Sequence, residues 1–348
     1  MQEWALTIGT EEVPFNGTYD GNDFYIMALR PTKDVSGVFG VIGETGIVSD
    51  LSVVDFDYKE APEIAGGLAG INRGIIENCG SGINLTSAAT IFREGQTEPV
   101  PITTLDSEIN AVKTAGGLVA INEGTIKNSR NSANVSADTA GGIAGINNGV
   151  ITNIYQTGEV DGDVAGGIAG TNSATIAYGY SSVLVTGTTR GGVVGISDNT
   201  DIRGMFYFFD ASDGTAPTAS GNQDDSVLGV TKKTTSELKT KVLADELNAL
   251  IASEEGLCSW VYDVTKNEGY PRHKQDNTVS AIRQNVSIAK PDSNDSLEND
   301  QTVDQEQTVE NDHIVDTGDA NTIMTYVLAL LASAVCIIVI MDKKRGRN

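Results

Sequence analysis

One short phrase occurs five times on a shared grid, and that grid restricts the architecture more than any other feature. The first copy is Ala65-Gly66-Gly67-Leu68-Ala69-Gly70-Ile71-Asn72. The others carry their second glycine at Gly117, Gly142, Gly167 and Gly192, so the steps are 50, 25, 25 and 25. Asn122, Asn147 and Asn172 close the next three copies as Asn72 closes the first, and Ser197 ends the fifth. A fixed period of this length belongs to a solenoid, in which each repeat buries its apolar face against its neighbours.

Each unit continues in a regular way. Asn147-Asn148-Gly149-Val150-Ile151-Thr152-Asn153-Ile154-Tyr155 has counterparts at 122–129 and 72–79. Asn-x-Gly is a turn signal, because both residues tolerate positive φ. The pieces around it are rich in Val, Ile and Thr and lack helical spacing, so they read as short strands. Two or three strands per coil give an all-β fold, a parallel β-solenoid with rungs about 4.8 Å apart. Asn72, Asn122, Asn147 and Asn172 then form a ladder of side-chain amides. Alternation places Ile151, Asn153 and Tyr155 on one strand face, and leaves open which of Leu68 and Ala69 points inward. The double step from Gly67 to Gly117 is expected to hold one degenerate coil, with a loop over Phe92–Pro101. Thr234 to Ser253 reads as a helix with a capping box at Thr234 and Glu237. Its apolar face is Leu238, Val242, Leu247, Leu250 and Ile251, and it is expected to cover the open end of the stack.

The phrase Gly-Gly-Leu/Ile-x-Gly-x-Asn-x-Gly-x-Ile-x-Asn resembles the GLUG motif, which occurs in tandem in large bacterial surface proteins. The resemblance covers about 65–200. Pro14-Phe15-Asn16-Gly17-Thr18-Tyr19-Asp20-Gly21-Asn22 looks like the segment that opens such arrays, and Ser36-Gly37-Val38-Phe39-Gly40-Val41-Ile42-Gly43 like a divergent first coil. Trp260-Val261-Tyr262-Asp263 and Asn267-Glu268-Gly269-Tyr270-Pro271 look like the element that closes them. Ala120, Ala174 and Ser197 depart from the pattern.

The C-terminus has a different character. Thr322 to Met341 is a 20-residue run without a charge, long enough as a helix to span a bilayer core. Asp342-Lys343-Lys344-Arg345-Gly346-Arg347 follows, and such basic clusters stay cytoplasmic, which places the body outside. Before the run stand Ile314, Val315, Asp316, Thr317 and Gly318. The order of short motif, apolar span and basic tail resembles the cell-wall sorting signal of Gram-positive surface proteins, a Leu-Pro-x-Thr-Gly motif cut by sortase between Thr and Gly. The resemblance implies sortase and peptidoglycan as partners and Thr317 as the residue joined to the wall. Ile314 and Val315 replace the family's Leu and Pro, so a plain membrane anchor stays open beside wall attachment. Residues 275–313 are acidic and lack aromatics, the composition of a disordered spacer. The organisation is therefore a solenoid over 1–210, a capping helix and closing element over 211–274, the spacer over 275–313 and the anchor over 314–348. Met1 to Leu6 hold neither a basic nor an apolar region of a signal peptide. The expectation is that the natural polypeptide begins upstream of Met1.

The formal charge of −24 excludes nucleic acid and disfavours anionic membrane surfaces as partners. The three cysteines are too few for a disulfide framework, and separate thiols are the better reading of Cys79 and Cys258. The two histidines, His273 and His313, lack nearby Cys or His ligands and read as solvated. No metal, no cofactor and no catalytic residue is expected. Asp20-Gly21-Asn22-Asp23 lacks the calcium-loop spacing. Asp161, Asp163, Asp198 and Asp201 read as turn residues; paired carboxylates on a β-helix are the alternative, a surface glycan-active enzyme of the lyase or hydrolase class. The leading reading is a non-enzymatic, adhesin-like repeat scaffold on the cell surface that binds a glycan or protein ligand.

Overall fold

The computed structural model describes residues 7–27, 34–54, 61–82, 90–92, 100–101, 108–199, 201–209, 218–276, 281–283 and 315–316. The repeats wind into a parallel β-solenoid of about seven turns. A full turn contributes one strand to each of three sheets. In the third repeat these are Thr139–Gly141 in an eight-stranded sheet, Ala144–Asn147 in a six-stranded sheet, and Val150–Gln156 in an eleven-stranded sheet. From Thr114 to Ser197 the rungs pair in parallel with the residues 25 positions on, as in Ala140 with Ala165 and Asn147 with Asn172. The register is tight because slipping it would move the apolar set out of the core.

Columns of equivalent residues fill the interior. Leu68, Leu118, Ile143, Ile168 and Val193 form one, and Ile76, Ile126, Ile151, Ile176 and Ile202 another, all buried. Each such side chain contributes about 1.5–3 kcal/mol on burial. Leu68 and Ala69 both join this core, because the chain bends at Gly67 and Leu68. The second glycine is required by close approach. A Cβ on Gly142 would lie 2.2 Å from the Gly167 carbonyl and 2.5 Å from Gln156 Cγ. At Gly67, Gly117 and Gly167 the same two obstacles recur, the next rung's carbonyl and the side chain of Ser81, Asn131 or Ser181.

Four expectations need correction. The double step holds no rung: Ala65 pairs directly with Ala115, Asn72 with Asn122 and Ile76 with Ile126. The stack strand Gly80–Ser81 is followed in the stack by Glu108–Asn110, and the described strands between them, Thr90–Phe92 and Val100–Pro101, pair with each other. Of the loop expected at 92–101, residues 93–99 lie outside the described residues. Opposite charges match across this junction, in Glu63–Lys113, Arg73–Glu123 and Glu77–Lys127.

The second correction concerns Asn153. It has φ 52°, and Asn78 and Asn128 have φ 54° and 52°. A left-handed residue turns the strand at this point, and Asn accepts that conformation more readily than most. Ile151 therefore faces the solenoid core, while Tyr155 faces a separate aromatic cluster on the flank.

Third, the helical region is two pieces, Thr235–Leu238 with the expected capping box and Lys241–Leu250. Leu238, Leu247 and Ile251 are buried as expected, but Val242 and Leu250 are exposed, and Leu243 and Ala244 take their place. Fourth, this helix covers the aromatic flank of the eleven-stranded sheet, packing with Tyr155, Tyr180 and Phe206, and not the end of the stack. The stack itself runs past residue 210. Ala219 accepts from the amides of Val193 and Val194, and Gly229–Lys233 adds a strand beside Ile202–Phe208. At the other end Phe39 and Ile42 pair with Ala69 and Asn72, so 36–43 is a rung, and Thr18–Met27 pairs with Ile47–Val54 beyond it.

Candidate functional site

Three polar ladders run along the stack, and they determine what the solenoid can hold. In the first, Asn72 Nδ2 donates to Asn122 Oδ1 at 2.9 Å, Asn122 to Asn147 at 2.8 Å and Asn147 to Asn172 at 2.7 Å. Asn172 then donates to Ser197 Oγ at 3.2 Å. The same side chains bind their own turns: Asn72 Oδ1 accepts from the amide of Gly74 at 3.1 Å. All are buried, so each missing partner would leave an orphaned polar group at a cost of about 1–3 kcal/mol. Asn222 continues the row by accepting from the Ser197 amide at 2.8 Å. Sequence reading missed it because Thr218-Ala219-Ser220-Gly221-Asn222 carries a single glycine, although 222 lies on the 25-residue grid. The second ladder joins Ser81, Asn131 and Gln156.

The third ladder, at the left-handed corner, is the docking seam of the closing element. Asn153 Nδ2 donates to Asn128 Oδ1 at 2.8 Å and to the Cys258 carbonyl at 2.9 Å. Trp260 Nε1 donates to Asn153 Oδ1 at 2.8 Å, and the Cys258 amide to Asn128 Oδ1 at 3.0 Å. Beside this seam lies an aromatic cluster. Tyr155 and Tyr180 stack at 5.5 Å, and Trp260 lies 5.9 and 5.8 Å from them. His273 sits 4.3 Å from Trp260 and 5.2 Å from Tyr155.

The solvated reading of His273 is thus overturned: it is 1% exposed, and neither ring nitrogen has a hydrogen-bond partner. Burial pushes its imidazole down to about 4. Asp276 lies 3.9 Å from its Nδ1 and 3.9 Å from Arg130 Nε. The same carboxylate accepts from Tyr155 Oη at 2.7 Å and from the His273 amide at 3.0 Å. His313 lies outside the described residues. The sequence signal that locates the seam is the recurrence of Asn78, Asn128 and Asn153; nothing in the spacing shows that the closing element would come back to it.

Cys79 and Cys258 are free and buried. Burial raises both thiols to about 12, which keeps them protonated and inert at neutral pH.

Asp161 and Asp163 both face solvent and line an open groove of about 420 Å³ with Asp138, Ser136, Gly162 and Thr188. Asp161 accepts from Thr186 on the next rung. Asp201 lies elsewhere, accepting from Thr175 and paired with Arg203; the Thr175 hydroxyl and then Arg203 hold its carboxyl below the usual range. Asp20 caps its own bulge by accepting from the Asn22 amide. Among the described residues no group of three or more His, Cys, Asp or Glu side chains is placed to hold a metal ion. Of the sorting motif, Val315 and Asp316 form a short strand beside Ile26 and Met27. Ile314, Thr317, Gly318 and the apolar run Thr322 to Met341 lie outside the described residues. Among the described residues no helix is long and apolar enough to cross a membrane.

No family model matches the chain, and no solved structure matches it. A curated protein of Evansella cellulosilytica, described as "Putative Gly-rich membrane protein", is 39% identical over 77 residues. The match covers 20% of this chain and 9% of that protein, so the chain spans about a tenth of that relative's length. A segment of this chain is therefore similar to part of a glycine-rich protein described as a membrane protein.

Proposed function

We propose that the chain is a non-enzymatic scaffold: a β-solenoid carried outside the cell, which uses its stacked rungs to present a ligand-binding surface. The single observation that carries this reading is the ladder architecture. Buried polar groups and glycines are spent on stacking rungs, while the outer rows vary from rung to rung. Position 73 of the first rung is Arg, and its equivalents are Glu123, Asn148, Ser173 and Asp198. A frame fixed inside and variable outside suits binding, as in other repeat proteins. The similarity to a protein described as a membrane protein supports presentation at a membrane. The acidic spacer, apolar run and basic tail support export of the body, with Thr317 joined to peptidoglycan by a sortase.

The open acidic groove at Asp161 and Asp163 does not enclose a substrate as ligand pockets do, and it fits the binding reading better than a glycan-cleaving one. The test has two parts. The full chain is screened against glycan and host-protein arrays, and expected to bind a ligand without changing it. Wild type and Thr317→Ala are then fractionated from cells. Sorting releases wild type only on wall digestion and leaves the variant in the membrane. Equal detergent extraction of both from intact-walled cells would reduce the segment to a plain anchor.

A further inference from the structure

The closing element carries a buried titratable group outside the three sheets of the stack. His273 is held between Trp260 and Tyr155, and its two ring nitrogens are unsatisfied. Stability alone would favour an apolar ring at such a position, because a buried polar atom without a partner keeps its desolvation cost uncompensated. The charged groups around it are few. Asp276 faces it from its own segment, and Arg130 from the corner of a rung. Tyr155 and Cys258, whose protons burial holds in place, complete the surroundings. Asp276 is already occupied by Arg130, Tyr155 Oη and the His273 amide. A proton on the imidazole would therefore be a second buried cation near Arg130, with half a partner.

We infer that residues 256–276 form an acid-released latch, which covers the aromatic flank of Tyr155, Tyr180 and Phe206 at neutral pH and uncovers it when His273 is protonated. The seam is built for separation as a unit. It is made of side-chain contacts to Asn128 and Asn153, of Asp276 with Arg130 and Tyr155, of the Tyr180 hydroxyl with Pro271 and Asn267, and of one aromatic cluster, and the rung-to-rung pairing does not pass through it. The uncovered row would be an apolar, aromatic surface of the type that binds partners.

The sign follows from linkage. In the released state the imidazole returns to about 6.5, and in the docked state it sits at about 4. Release therefore binds a proton between those values, and docking is at full strength above pH 7 and weakens as pH falls. The docking equilibrium at pH 5 should be about 20-fold weaker than at pH 7.

The test is hydrogen exchange on the full chain, with protection factors corrected for the intrinsic effect of pH. Segment 256–276 should lose protection about 20-fold between pH 7 and pH 5, while segment 139–147 in the stack keeps its own. His273→Phe keeps the ring and removes no hydrogen bond, and should flatten the profile; His273→Met serves if the larger ring disturbs packing. Asp276→Asn removes the neighbouring carboxylate and should leave the pH dependence in place. A profile in His273→Phe and His273→Met parallel to wild type overturns the latch. So does loss of protection in both segments together, which would be acid unfolding of the whole stack.

Discussion

Trp260 Nε1 hydrogen-bonds to Asn153 Oδ1 across 107 residues of sequence, and this contact joins the end of the folded body to the corner of a repeat. Asn153 serves two roles: it holds the left-handed conformation that turns the strand, and it presents its amide to Asn128, Cys258 and Trp260. Asn153→Ala should lose both, at a cost of about 2–4 kcal/mol from backbone strain and orphaned polar groups. Asn153→Gly relieves the strain and keeps the orphans. Denaturant unfolding should rank wild type above Gly and Gly above Ala; equal stability of the two variants would show that the corner carries no strain.

The second glycine of the phrase should tolerate no side chain. Gly142→Val places atoms within 2.2 Å of the Gly167 carbonyl, and overpacking of this kind costs about 1–3 kcal/mol or more. Thermal melting followed by circular dichroism should show a clear drop, and an unchanged melting temperature would mean that the rungs separate easily.

The asparagine ladder makes a finer prediction. Asn147→Leu leaves Asn122 Nδ2 without its acceptor and Asn172 Oδ1 without its donor, since Asn147 both accepts from Asn122 and donates to Asn172. Asn147→Ser should be milder, because Ser197 already occupies the equivalent place and accepts from Asn172. Urea unfolding should separate the two variants by about 1–2 kcal/mol, with Leu the weaker.

Residues 83–106 should be removable. Gly82 and Ser107 then span the corner that Ser132 and Ala133 span one rung later, between Asn131 and Asn134. The rungs on either side are already paired and charge-matched. Excursions from a paired framework cost little to shorten. The deleted chain should keep its far-ultraviolet spectrum and melt within a few degrees of wild type. Collapse of the spectrum would show that the excursion holds the junction.

Much of this was legible in the sequence. The 25-residue step, the strand composition and the Asn-x-Gly turns lead to a parallel solenoid, because a fixed period leaves few ways to bury the same face repeatedly. The double step misled, since a gap of 50 on a 25-residue grid invites an extra rung. The signal against it was present in Glu63 and Lys113, Arg73 and Glu123, and Glu77 and Lys127, opposite charges 50 apart. Asn153 was misplaced because strand alternation assumes an extended chain, and one left-handed residue cancels it. His273 read as solvated because nothing near it in sequence is apolar enough to bury it; Tyr155 and Tyr180, which do so, come from distant rungs.

Exposure of the folded body on living cells tests the central claim most directly. In the source organism, with the chain expressed from its own locus, an epitope placed within 93–99 is probed by antibody on intact cells and after permeabilisation. A surface-presented scaffold gives full signal on intact cells, and external protease removes it while a cytoplasmic marker survives. Signal that appears only after permeabilisation would place the solenoid inside the cell and contradict the account.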